Sequence, residues 1–231
     1  MPSVLVTGSS RGLGLEFVRQ YAKDGWTVFA TCRTPKKADA LKAIADKSGG
    51  RVTLHAMDVA DFDQVDALAK ALKGTPIDVV INNAGLGDGL GSSSGDVDYE
   101  AWEKVLRVNT MAVLKVATAF APNLALGTEK KFITISSMLG SIGDNTWGGM
   151  YIYRSSKAGA NAVTRSLSFD LKDKGIIAVS LHPGWVKTDM GGPNAQVEPD
   201  VSIAGMRKVI AGLTPKKSGS FFTYQGKTVP W

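Results

Sequence analysis

Cysteine and histidine are almost missing from this chain: one cysteine, Cys32, and two histidines, His55 and His182, in 231 residues. A single thiol excludes an intrachain disulfide and a cysteine-built metal cage, and two scattered histidines do not make a zinc site, so no metal is expected. No apolar run approaches the roughly 20 residues that a membrane helix needs. Met1-Pro2-Ser3 leads straight into Val4-Leu5-Val6, without the basic stretch and long apolar core of a secretory signal, so no membrane and a cytoplasmic location are expected. The net charge is +6, yet no run of lysines is longer than pairs such as Lys36-Lys37, Lys130-Lys131 and Lys216-Lys217. Without a basic run interleaved with aromatics, nucleic acid is not an expected partner. These lysines read either as ordinary surface charge or as a field that attracts anionic ligands.

What is present is a pattern. With 44% hydrophobic and 21% charged residues the chain has the makings of a folded core, of a size that one α/β domain spanning 1–231 would use. Short β-branched runs at Val4–Thr7, Thr27–Thr31, Val52–Met57, Val79–Asn82, Phe132–Ser136, Ile177–Leu181 and Ser220–Thr223 read as strands. Helical periodicity lies between them, near Gly12–Lys23, Ala38–Lys47, Asp63–Leu72, Tyr99–Leu124, Gly149–Lys174 and Val201–Ile210. Strands alternating with helices predict a doubly wound, Rossmann-type parallel sheet of about seven strands, with helices on both faces. Two glycine-rich stretches, Gly85–Gly95 and Gly140–Gly149, and the irregular Gly191–Pro199 then fall on one sheet edge, where such folds bind ligands. Met138, Met150, Met190, Trp147 and Trp185 lie in or near these loops, as core residues or as apolar pocket walls.

The turn Thr7-Gly8-Ser9-Ser10-Arg11-Gly12-Leu13-Gly14 joins the first strand to the first helix. Glycines there permit positive φ and a close approach of backbone to a pyrophosphate, which the helix N-terminus then holds. Tyr153 and Lys157, four residues apart, project from one helix face. An ammonium beside a phenol favours the phenolate and brings a group with pKa near 10 toward working range. The same spacing also describes a pair that simply packs on an amphipathic helix.

The Gly-x-x-x-Gly-x-Gly turn resembles the signature of the short-chain dehydrogenases/reductases. Asn82-Asn83-Ala84-Gly85 after the fourth strand, Tyr153-Arg154-Ser155-Ser156-Lys157, and Pro183-Gly184 after the sixth strand match further motifs of that family, in order. Ile135-Ser136-Ser137-Met138-Leu139-Gly140-Ser141-Ile142, His182-Pro183-Gly184-Trp185-Val186 and Pro230-Trp231 are similar to a subgroup with the sniffer-type carbonyl reductases and the bacterial C-factor proteins.

The resemblance implies an NADP(H)-dependent oxidoreductase that reduces a small carbonyl compound or oxidises an alcohol. In it Tyr153 exchanges the proton, Ser137 orients the substrate oxygen, and Lys157 also holds the nicotinamide ribose. Ser137 has a competing reading as a strand-end cap. Asn109, by resemblance, holds a water linking Lys157 to solvent; on its own it reads as a satisfied polar residue or a small kink. The extra residues Gly143–Gly149 before Tyr153 leave the helix start open. The resemblance sets the dinucleotide against Gly8, Ser10, Arg11, Gly12, Leu13 and Gly14, against Asp58 at its adenine ring, and against Val59. Asn83, Ala84 and Gly85 follow, then Pro183, Gly184 and Val186, with Thr188 at the carboxamide.

Thr31-Cys32-Arg33 ends the second strand without the acid that would read a free 2′-hydroxyl. Arg33 suits a 2′-phosphate, and Arg11 matches a family position where a base marks NADP preference; each alone also reads as a solvated surface charge. Cys32 is expected as a small strand residue, His55 as a packing residue, and His182 as a group that fixes the Pro-Gly turn.

The competing function is a dinucleotide-binding signalling protein of C-factor type; intact Ser137, Tyr153, Lys157 and Asn109 favour the enzyme. An extended epimerase is disfavoured because only about 50 residues follow Pro183-Gly184, too few for a separate substrate domain. A homodimer or homotetramer is expected through the two long helices, with Val105, Val108, Ala112, Val116, Ala119 and Phe120 as apolar candidates.

Overall fold

The computed structural model describes residues 1–88 and 90–231, so that Gly89, within the Gly85–Gly95 stretch, lies outside the described residues. Seven strands form one parallel sheet: β1 (Ser3–Val6), β2 (Thr27–Cys32), β3 (Val52–Ala56), β4 (Val79–Asn82), β5 (Lys131–Ile135), β6 (Ile177–His182) and β7 (Phe221–Thr223). Their order is β3-β2-β1-β4-β5-β6-β7, every neighbouring pair running parallel. β1, β4 and β5 are buried at every residue, as strands covered on both faces must be.

The helices α1 (Gly12–Lys23), α2 (Asp39–Asp46), α3 (Phe62–Ala71), α4 (Tyr99–Leu106), α5 (Ala112–Leu126), α6 (Tyr151–Asp170) and α7 (Pro199–Ala211) fill the crossovers. Phe17, Val18 and Tyr21 of α1, Leu41 of α2, and Ile203, Met206 and Ile210 of α7 share one core layer. Val65 and Leu68 of α3, Val113, Val116 and Phe120 of α5, and Ala160 and Leu167 of α6 build the other. The strand order reverses direction at β1, between β2 and β4, and the crevice that opens there is where a doubly wound sheet takes a ligand. No helix among the described residues is long and apolar enough to cross a membrane.

Three expectations need correction. The helix expected over Tyr99–Leu124 is interrupted by a π-helical stretch, Arg107–Met111, which separates α4 from α5. The helix expected from Gly149 starts at Tyr151, because Gly148, Gly149 and Met150 all take positive φ (69, 66 and 53°), which no α-helix accommodates. Its C-terminal end at Asp170 precedes a short 3₁₀ turn, Lys172–Lys174, closed by Gly175 at φ 71°. Finally, Val105, Val108, Ala112, Val116 and Phe120 are consumed by the chain's own core, and Ala119 packs partly against it. Among the described residues, the large hydrophobic side chains that these segments leave exposed are Tyr99, Met111, Leu114, Leu126, Tyr151 and Phe169.

Candidate active site

The glycine loop is shaped by contacts that only glycine fits. Gly8 and Gly12 hold positive φ, 67 and 54°. A Cβ on Gly14 would lie 2.2 Å from the Gly8 carbonyl oxygen and 2.6 Å from Asn83 Nδ2. Thr7 ties this loop to the loop after β4: its Oγ1 accepts from Asn83 N and Ala84 N, each at 3.0 Å. Asn83 returns the bond, Nδ2 donating to Thr7 O at 2.8 Å and to Gly8 O at 3.2 Å. Ser9 N donates to Thr31 O at 2.9 Å, which presses the loop against the end of β2 and brings Arg11 and Arg33 to the same sheet edge. Ser10 and Leu13 are half-buried there, Leu13 against the core.

The N-terminus of α1 opens on this loop with no side-chain cap and no acid in its first turn. Uncapped amides and a positive dipole end suit an anion. Arg33 is exposed. Arg11, in contrast, is engaged: its Nη1 donates to Asp189 Oδ2 at 2.7 Å. Asp58 bends the chain after β3, Oδ1 accepting from Ala60 N at 2.9 Å, and Val59 turns its side chain into the core.

At the centre of the edge, α6 brings Tyr153 and Lys157 together under the end of β5. Both are buried, and Lys157 Nζ lies 5.8 Å from the centre of the Tyr153 ring. Nζ donates to Ile135 O at 2.9 Å. A Cβ on Gly140 would stand 2.7 Å from the Lys157 carbonyl carbon, so this glycine lets the turn after Ser137 press directly on α6.

Ser137 is the serine beside Tyr153, and its hydroxyl acts to lower the phenol's pKa. It is also the cap of the following 3₁₀ turn, Oγ accepting from Leu139 N at 3.2 Å. The capping reading of this residue is therefore present in the structure. Its neighbour Ser136 buries its hydroxyl without a hydrogen-bond partner among the described residues.

Burial dominates the electrostatics. It pushes the Tyr153 phenol up to about 12, with the Ser137 hydrogen bond acting in the opposite direction. It brings the Lys157 ammonium down to about 8. Burial thus leaves the phenol protonated at pH 7, with Lys157 Nζ 5.8 Å from the ring centre.

Asn109 sits in the π-helical stretch with its amide fully used. Oδ1 accepts from Leu86 N at 2.8 Å, while Nδ2 donates to Leu86 O at 2.9 Å and to Ser156 Oγ at 3.0 Å. Ser156 Oγ in turn donates to Tyr153 O at 2.8 Å. The side chain is a satisfied polar clamp at an irregular turn, the two simpler readings of it combined. A Cβ on Gly85 would meet Asn109 Oδ1 at 3.3 Å and Lys157 Nζ at 3.5 Å, so the three residues converge.

The segment after β6 closes the third side. Pro183 O accepts from Ser202 Oγ at 2.6 Å, and Gly184, at φ 86°, passes within 3.0 Å of the Tyr224 ring for any added Cβ. Val186 is buried and pairs with Val197. Thr188 lies beside Gly12, and Met190 abuts Gly87. His182 Nδ1 accepts from Met138 N at 3.2 Å and burial lowers the ring to about 4, so it is neutral and fixes the turn after Ser137 instead of the Pro-Gly turn. His55 bonds Thr53 Oγ1 at 2.9 Å on β3, and Cys32 is buried.

Two participants escape a reading of the sequence. Thr7, which stitches the two loops together, stands in plain view at the head of the glycine motif. Asp189 gives no signal, since its partner is 178 residues away.

The model of the short chain dehydrogenase family matches residues 2–198. The chain belongs to that family. Among its relatives, the C-signal protein of Myxococcus xanthus is 47% identical over 156 residues, which are 68% of this chain and 93% of the relative. The 1-hydroxy-2-glutathionyl-2-methyl-3-butene dehydrogenase of a Rhodococcus strain is 35% identical over the whole of both chains. In structure the chain is similar to the carbonyl reductase Sniffer of Drosophila melanogaster, at TM-score 0.93 and 35% identity, with both chains fully covered. It is also similar to an NADPH-bound carbonyl reductase from chicken fatty liver, at TM-score 0.92 and 36% identity, over 100% of this chain and 99% of that one.

Proposed function

We propose that this short-chain dehydrogenase is an NADP(H)-dependent carbonyl reductase. The observation that carries the reading is the buried Ser137–Tyr153–Lys157 group at the sheet edge, beside a glycine loop built for a phosphate. The residues present fit the dinucleotide: the uncapped first turn of α1 for the pyrophosphate, and Arg33, at a strand end without an acid, for the 2′-phosphate. When bound, the cofactor supplies the hydride that reduces the carbonyl carbon.

The chain supplies the proton and the positions. Tyr153, protonated at neutral pH, gives its proton to the substrate oxygen as that oxygen gains negative charge. Ser137 donates to the same oxygen and fixes its place beside the phenol. Lys157 stabilises the phenolate left behind, because an ammonium in a dry site acts strongly on a charge formed next to it. Asn109 holds Leu86 and, through Ser156, the backbone of Tyr153, so the loop after β4 and the catalytic helix keep their register. In the reverse direction the same groups remove the proton of an alcohol.

A signalling role without turnover is the second reading, favoured by the similarity to the C-signal protein. A pure sensor has no chemical need of Ser137, Tyr153 and Lys157 in contact. Assaying purified protein for NADPH oxidation against a panel of aldehydes and ketones separates the two. Carbonyl-dependent oxidation is expected; dinucleotide binding with no turnover on any carbonyl favours the sensor.

A further inference from the structure

Arg11 is subject to two demands. It lies in the glycine loop, where with Arg33 it faces a 2′-phosphate under the reading above. In the structure its guanidinium is held by Asp189, Nη1 to Oδ2 at 2.7 Å. The carboxylate belongs to the segment after β6, next to Thr188, on the side of the crevice that carries Trp185 and Met190.

Local turns place that carboxylate independently of the pair. Gly192 N donates to Thr188 O at 2.9 Å, and Gly191 N to Thr188 Oγ1 at 3.2 Å. Trp185 Nε1 donates to Gly191 O at 2.7 Å, and Lys187 N to Val197 O at 3.0 Å. The two side chains are 73% and 77% exposed, and a pair so open to water adds little to the stability of the fold. Its position gives it more influence over binding than over folding.

We propose that Asp189 is a specificity-determining residue that opposes the phosphorylated cofactor by holding Arg11. The inference rests on the dinucleotide reading of this edge. A cofactor with a free 2′-hydroxyl makes no claim on Arg11, so Asp189 narrows the gap between NADPH and NADH. The linkage is reciprocal: a 2′-phosphate that draws Arg11 away also releases the tie between the glycine loop and the segment after β6. An exposed pair of this kind changes affinity by about two- to fivefold.

The test is a titration of NADPH and of NADH into wild type, Asp189→Asn, Arg11→Ala and the double variant, followed by protein fluorescence at low and at physiological salt. Asp189→Asn is expected to bind NADPH about two- to fivefold more tightly, with NADH unchanged and the gain smaller at higher salt. In the Arg11→Ala background the gain is expected to vanish. Unchanged or weaker NADPH binding in Asp189→Asn overturns the proposal, as does an equal gain for NADH or a gain that survives without Arg11. Failure of the dinucleotide reading looks different: wild type then binds neither cofactor, and both inferences fall together.

Discussion

At the scale of single residues, the site is held in a state that costs stability. Lys157 is buried with one carbonyl partner, and its pKa falls from 10.5 to about 8. The unfolded chain therefore binds more protons than the folded one between about pH 8 and 10.5, and folding stability rises with pH across that window. Below it the full penalty is present, on the order of 3 kcal/mol. Lys157→Met is thus expected to be more stable than wild type at pH 7 by up to about 3 kcal/mol, and to lose the rise above pH 8. Urea unfolding at pH 7 and pH 10 checks it. A variant less stable at pH 7, or one whose stability climbs with pH as wild type does, contradicts the account. Tyr153 works in the other direction: its phenol, raised from 10.0 to about 12, keeps its proton in the fold, so stability falls once the pH passes 10.0.

At the scale of elements, the proposed preference for NADPH rests on β2, which ends in Thr31-Cys32-Arg33 with the glycine loop bonded to Thr31. A charge-assisted hydrogen bond contributes about 1.5–3 kcal/mol, so Arg33→Ala should bind NADPH roughly ten- to a hundredfold more weakly, with NADH little changed. Calorimetric titration of both cofactors measures this, and an equal loss for both would reject the assignment. The strands, the glycine loop and the Tyr153–Lys157 spacing were readable because each rests on local chemistry: β-branched runs, positive φ, one helix face. The π-helical stretch at Arg107–Met111 was not, because one widened turn shifts an apolar pattern without erasing it. The start of α6 was hidden because Met150, a residue with a side chain, takes the left-handed conformation usually left to glycine. Arg11 and Asp189 meet only through tertiary structure, and no spacing announces that.

At the scale of the molecule, the core claims most of the apolar surface of α4 and α5, leaving Met111, Leu114 and Leu126 exposed in the Arg107–Leu126 segment, with Tyr151 and Phe169 on α6. Self-association over this face is expected, with a two-fold symmetric dimer as the smallest closed form. Light scattering at micromolar concentration should report a dimer or tetramer; a monomer would reject that expectation. The central claim is narrower: one buried phenol delivers the proton in an NADPH-dependent reduction. It is tested most directly by comparing wild type and Tyr153→Phe, measuring carbonyl-dependent NADPH oxidation and NADPH affinity on the same preparations. The account predicts a loss of roughly 10²–10⁴ in kcat/KM with affinity for NADPH nearly unchanged. A variant that retains most of its turnover would contradict it.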